Sequence, residues 1–172
     1  MPEAGHAEAT GLVLGFDHGG RRIGVAIGQA ITASATALAV VRNSPQGPDW
    51  ASIDQIIRQW QPTRLVIGLP LTMDGDHQNS SKAAQAFGRA LADRYRLPVF
   101  EQDERLSSRI VGGEFALARS RGEAKRKQAA LLDAQAARLI VERFLAGSTP
   151  TQANSNANSN ANSNANNPTA SE

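Results

Sequence analysis

Hydrophobic and polar positions fall into short runs over the first part of the chain. Leu12–Asp17 is apolar and rich in Leu and Val. Arg22–Gly28 follows it across the glycine turn His18-Gly19-Gly20, and Thr36–Val41 is a third short run. Such runs, bounded by turn residues, predict three strands joined by tight connections. The period then changes. Trp50, Ile53, Ile57 and Trp60 recur at helical spacing, with Asp49 placed to cap the helix and Pro62 to stop it after about Gln61. Arg64–Gly68 reads as a buried strand ending at Leu69-Pro70. A polar loop, Thr72–Asn79, leads into a helix with the stripe Ala84, Phe87, Leu91 and Tyr95. Pro98–Gln102 is a fifth strand. A weaker helix from Ser107 to about Ala118 is interrupted by Gly112-Gly113, and the last helix runs from about Glu123 to Leu145. Three hairpin-linked strands followed by helix–strand–helix–strand–helix–helix predict an α/β sandwich. Its centre is a mixed five-stranded sheet flanked by helices.

Composition sets the limits of this unit. The chain has 172 residues, 41% of them hydrophobic and 20% charged, as expected of one soluble globular domain. It has no cysteine, which excludes a disulfide scaffold, a thiolate zinc site and a cysteine nucleophile. No run reaches the ~18 apolar residues of a membrane span. The opening MPEAGHAEAT carries two glutamates and no apolar core, so it does not read as a signal peptide. The expectation is a cytoplasmic protein with no membrane partner. Ala153–Asn167 is ANSNANSNANSNANN, a period-four repeat with no charge and no large apolar residue. Such a segment cannot bury enough surface to offset its ordering entropy. The expected organisation is a flexible N-terminus over 1–10, a folded domain over 11–146 and a disordered Asn/Ser/Ala-rich tail over 147–172. The folded part shows no internal repeat.

Charge adds a hint. Lys and Arg number 18 against 16 Asp and Glu, for a net +2. Between Arg105 and Lys127 there are seven basic and two acidic residues. Arginine predominates, and its planar fork suits phosphate. A solvated helix face with a basic loop accounts for the same cluster.

Three acidic sites stand apart from solvent faces. Asp17 ends the first strand, and Asp103-Glu104 follows the fifth. Each has a plain structural reading, as a turn residue or as a helix cap beside Arg105. Open α/β sheets nonetheless collect ligands outside the carboxyl ends of their strands. Asp133 lies inside the last helix, with Ala136, Ala137, Ile140 and Phe144 at i+3, i+4, i+7 and i+11. It therefore shares the apolar stripe, where an unpaired carboxylate would cost several kcal/mol. Two partners fit: an arginine in a structural ion pair, or a divalent metal shared with the other carboxylates. Carboxylate-only ligation suits Mg²⁺ or Mn²⁺ rather than zinc. Two such ions about 3.5–4 Å apart serve phosphodiester hydrolysis. HExxH, Walker A and GxSxG motifs are absent. His18 and His77 read as solvent-exposed or turn residues.

Several segments together resemble one family. GFDHGGRRIGVAIG resembles the first hairpin of the YqgF/RuvX-type pre-16S rRNA nucleases. LVIGLPLTMDGDHQNSSKAAQAFGRAL resembles that family's fourth strand, glycine loop and following helix. LPVFEQDERLSS resembles its DER-type motif, and LLDAQAARLIVERFL its acidic C-terminal helix. The blocks are in order and cover about residues 11–146. The resemblance implies an RNase H-like fold and a divalent-metal nuclease site using Mg²⁺ or Mn²⁺. It implies processing of the 5′ end of the 16S rRNA precursor, within the 30S precursor, in ribosome biogenesis. It also implies kinship with Holliday-junction resolvases.

Carried over by position, the acidic ligands would be Asp17, Glu104 and Asp133, with Asp103 as a helper. Arg22 and Arg105 would contact substrate phosphate, or pack across the hairpin and orient the neighbouring acid. Asp74 and Gly75 fall in the substrate-side loop. Gly20 replaces the small hydroxyl residue usual after the first glycine, and Gly28-Gln29 replaces a Ser-Asp pair. Neither change removes a ligand.

Three further readings compete with the rRNA nuclease. A branched-DNA nuclease would use the same acids and require a homodimer rather than a monomer. An ATP-binding module of the actin/sugar-kinase type also opens with strand, Asp and glycine turn, but needs two such domains. A non-catalytic nucleic-acid-binding or transcription factor would bind RNA in a salt-sensitive way without cutting it.

Overall fold

A computed structural model of the protein describes residues 11–70, 75–103, 126–147 and 151–152. The helix expected over 107–118 lies outside these residues. The hairpin strands are β1 (Leu12–His18), β2 (Arg22–Gln29) and β3 (Ser34–Ser44), followed by the two-residue β4 (Gly47–Pro48). Then come α1 (Trp50–Trp60), β5 (Arg64–Leu69), α2 (Gly75–Tyr95), β6 (Val99–Asp103), α3 (Arg126–Leu145) and β7 (Thr151–Gln152). The sheet order is β4-β3-β2-β1-β5-β6-β7. The five expected strands form its body, and two two-residue strands extend its edges. β7 lies past the expected domain boundary at residue 146, pairing Thr151 with Glu101 and Gln152 with Phe100. β1 pairs antiparallel with β2 and parallel with β5, and β5 pairs parallel with β6. The carboxyl ends of β1, β5 and β6 therefore lie at one end of the sheet.

Strand alternation gives each face its own core. Leu14, Phe16, Ile23, Val25, Val41, Leu65, Ile67 and Val99 face α1 and α2, where they meet Ile53, Ala84, Phe87 and Leu91. Val13, Ala26 and Val66 face α3 and meet Ala137, Ile140, Val141 and Phe144. Each fully buried side chain of this kind contributes roughly 1.5–3 kcal/mol. The α3 face is lined with glycine, so the helix lies close to the sheet. A Cβ at Gly15 would stand 2.1 Å from Val141 Cγ2, and one at Gly24 would stand 1.9 Å from the Asp133 carbonyl oxygen.

α1 starts at its expected cap: Asp49 accepts from Ser52 N at 3.3 Å and from Ser52 Oγ at 2.7 Å. Gln61 closes it in the left-handed conformation, φ 46°, its N–H bonding the Ile57 carbonyl at 2.9 Å. α2 begins at Gly75, not after the polar loop expected through Asn79. A polar helical turn leaves no apolar period to read. Asp54 on α1 fastens the two helices, accepting from Arg94 Nε at 2.8 Å, Arg94 Nη2 at 2.7 Å and Tyr95 Oη at 2.6 Å.

Candidate nuclease site

Val13 and Gly15 point toward α3, so Asp17, two residues on, rises on that same face at the carboxyl end of β1. Its direct partner across the hairpin is Gly24. The Cα atoms of such a pair are about 4.5–5.5 Å apart. Because Gly24 has no side chain, the α3 backbone reaches the sheet at Asp133. One glycine thus brings together two acids that lie 116 positions apart in the chain. Both carboxylates are half-buried.

Asp133 sits where the helical stripe predicted, on the same face as the buried Ala137, Ile140 and Phe144. Its partner here is an arginine. Arg22 Nε donates to Asp133 Oδ2 at 2.6 Å. Arg22 stands two positions before Gly24 on β2 and so emerges on the same face. The residue expected to touch phosphate therefore holds a residue expected to bind metal.

The remaining candidates divide. Glu104 and Arg105 lie outside the described residues, as does Asp74, while Gly75 is the first residue of α2. Asp103 is exposed at the end of β6. Val99 faces α2, so alternation aims Asp103 to that side of the sheet, away from the α3 face that carries Asp17. Its backbone carbonyl accepts from Arg143 Nη1 at 3.0 Å. Among the described residues, no group of three or more His, Cys, Asp or Glu side chains is gathered as a metal site.

The two acids placed on either side of Gly24 offer hard oxygen donors alone. This donor set fits Mg²⁺ or Mn²⁺, and Glu104 is the expected third ligand.

His18, expected as a solvent-exposed or turn residue, ends β1 directly before the glycine turn and is not exposed. It is half-buried on the opposite face, its ring 5.0 Å from that of Phe87. Its Nε2 lies 3.3 Å from Asn43 Nδ2, which also donates to the Gly19 carbonyl at 2.7 Å. An amide NH₂ only donates, so Nε2 accepts and the imidazole is neutral. Burial pushes its pKa down, in keeping with that state. The side chain of His77 lies outside the described residues.

Sequence reasoning missed two features. The first is Gly24, whose role is visible only once the β1–β2 register is fixed. The second is Gln102, 3% exposed on the α3 face, with an Oε1 that has no hydrogen-bond partner among the described residues. Gln102 pairs in register with Gly68 on β5. Phe16 pairs with Ile67, so one residue on, Asp17, Gly68 and Gln102 continue a row across the carboxyl ends. A lone Gln inside a strand gives no signal of this.

The family described as "RuvX: Holliday junction resolvase" matches residues 11–147. A protein of Xanthomonas euvesicatoria pv. vesicatoria (strain 85-10), named "Putative pre-16S rRNA nuclease", is 51% identical over 155 residues, 90% of this chain and 99% of that protein. A protein of the same name from Xanthomonas oryzae pv. oryzae (strain PXO99A) is 50% identical over 153 residues, 89% of this chain and 97% of its own length. Among solved structures, "T. thermophilus RuvC in complex with Holliday junction substrate" shares the fold. Its TM-score is 0.52 at 21% identity, covering 82% of this chain and 98% of that one.

Proposed function

We propose, from the premise that this chain belongs to the RuvX Holliday junction resolvase family, that it is a metal-dependent nuclease acting in the cytoplasm on the 5′ end of the 16S rRNA precursor. The enzyme is a hydrolase of phosphodiester bonds. The observation that carries this reading is the placement of Asp17 and Asp133 on either side of Gly24, with Arg22 bonded to Asp133. Asp17, Asp133 and, by the motif, Glu104 would hold Mg²⁺ or Mn²⁺. When bound, the ion supplies Lewis-acid activation of water and of the phosphodiester.

The chain's own residues do the rest. Asp17 is fixed by the β1–β2 ladder. Asp133 is fixed by the seating of α3 on Gly24, so neither needs reordering as substrate arrives. Arg22 balances Asp133 while the site is at rest. Were Asp133 to hold an ion, Arg22 would be free to turn to a substrate phosphate, which its guanidinium can grip with two parallel N–H donors.

The test is cleavage of a short single-stranded RNA covering the 16S precursor 5′ end, with Mn²⁺, Mg²⁺ or EDTA, comparing wild type with Asp17→Asn. Metal-dependent cutting that the variant loses is the expected result. Normal cutting by the variant would overturn the site. Cutting of a four-way DNA junction but not of the RNA would move the substrate to branched DNA.

A further inference from the structure

The sheet edge beside the carboxylates carries a feature that the metal site does not use. Arg22 and Arg42 are direct partners across the antiparallel β2–β3 pair. Val41 belongs to the α1/α2 core, so Arg42 stands on the α3 face beside Arg22. Like charges directly opposed across strands are destabilising. Asp133 neutralises Arg22. Arg42 is exposed and makes no ion pair with the described residues.

The backbone at Arg42 is held from both sides. The Arg42 carbonyl accepts from Asp49 N at 3.0 Å, and Asn43 N donates to the Arg21 carbonyl at 2.9 Å. Arg42 also lines an open groove of about 460 Å³ with Ser44, Gln46, Gly47, Pro48 and Asp49. Asp49 is the one acid there. Its charge is committed to the amino end of α1, and hydrogen bonds from Ser52 hold its carboxyl below the usual range. What remains is an exposed arginine, anchored through its backbone, one strand away from Arg22 and on the same face.

We infer that the β2–β3 edge is a binding track for the sugar-phosphate backbone of a nucleic-acid strand, with Arg42 gripping a phosphate next to the one that Arg22 meets. The inference rests on the nuclease reading for the position of the scissile phosphate. The register supplies the spacing. Two arginines rooted about 5 Å apart suit neighbouring phosphates of one strand rather than phosphates across a major groove about 12 Å wide. Asp133 balances only one of the two guanidinium charges, and a polyanion supplies the counter-charge for the other.

The test is binding of a fluorescent single-stranded RNA in EDTA, with the salt concentration varied from about 50 to 200 mM. Wild type is compared with Arg42→Gln, Arg42→Lys and Arg96→Gln. Arg96 follows α2 at the opposite end of the sheet. Arg42→Gln is expected to bind several-fold more weakly. Its slope of log K against log salt should be shallower by about 0.7, the loss of one phosphate contact. Arg42→Lys should keep the slope and Arg96→Gln should keep both slope and affinity. With Mn²⁺, Arg42→Gln should raise KM and leave kcat unchanged. Its melting temperature should equal or exceed that of wild type.

An unchanged slope, an equal loss in Arg96→Gln, or a lowered melting temperature would each overturn the track. The two readings fail separately. If wild type never cuts but Arg42→Gln still loses the slope, the track stands without the nuclease. If wild type cuts and the slope does not move, the track is wrong. A single-stranded DNA arm tells whether the grip is on phosphate, common to both, or depends on the ribose.

Discussion

Breaking the Arg22–Asp133 ion pair should tighten metal binding while weakening catalysis. The perturbation is Arg22→Met, which keeps the aliphatic stem and removes the charge. The pair is a single close contact of 2.6 Å, with the two side chains 40% and 24% exposed. Fully exposed pairs contribute about 0.2–1 kcal/mol, and hydrogen bonds to charged groups reach about 1.5–3 kcal/mol. Half-burial places this pair near 1 kcal/mol. A cation competing for Asp133 must displace that interaction, so its removal should lower the Kd for Mn²⁺ about fivefold.

The assay is titration calorimetry of Mn²⁺ without nucleic acid, at low salt and again near 1 M, where screening should shrink the difference. Without metal, the variant leaves the half-buried Asp133 without the cation that balances it, so its melting temperature should fall. Mn²⁺ at about 100 times its Kd should return roughly 2.7 kcal/mol. Cleavage should drop because the phosphate contact is gone. Unchanged or weaker Mn²⁺ binding in Arg22→Met would refute the reasoning and leave Arg22 a packing residue. Asp133→Asn supplies the opposite control: it loses Mn²⁺ affinity, and its melting temperature falls modestly because Arg22 is left unpaired.

Three other perturbations read separate parts of the structure. Gly24→Ala should cost about 1–3 kcal/mol in urea denaturation, because its Cβ would stand 1.9 Å from the Asp133 carbonyl oxygen. Gly20→Ala, with nothing within 4 Å of its Cβ, should stay near wild type, and equal midpoints for the two would sink the close-approach argument. Hydrogen bonds from Arg94, then Tyr95, hold the Asp54 carboxyl well below its ordinary range. Its stabilisation is therefore full above about pH 4 and lost as pH falls through the lowered folded value. The melting temperature of Asp54→Asn should trail wild type at pH 7 and converge on it in acid, and a gap constant down to about pH 2 would show that the carboxylate is not the cause. Gln102→Leu removes a buried acceptor that has no partner among the described residues, so its urea midpoint should hold or rise by about 1 kcal/mol equivalent. A fall of that size would mean that Oε1 is satisfied in solution.

What was legible in the sequence follows from what leaves a local trace. The apolar periods of Leu12–Asp17 and Arg64–Gly68 place both strands to within a residue, because burial on both faces makes a short unbroken run. The stripe through Asp133 places its carboxylate toward the sheet for the same reason. β3 is longer than the expected Thr36–Val41, running from Ser34 to Ser44. Its ends are held by ladder bonds to β2, which polar residues make as well as apolar ones. Asp133 had two possible partners on sequence grounds, and the choice depended on where Arg22 emerges. That in turn depends on a register that a turn of three residues fixes and a hydrophobic pattern does not. A one-residue slip of β2 would have sent Arg22 and Gly24 to the other face, leaving Asp133 with neither a cation nor room to approach. The register of the first hairpin is therefore the point at which this sheet becomes a candidate active site, and Gly24 is the residue that lets α3 seat against it.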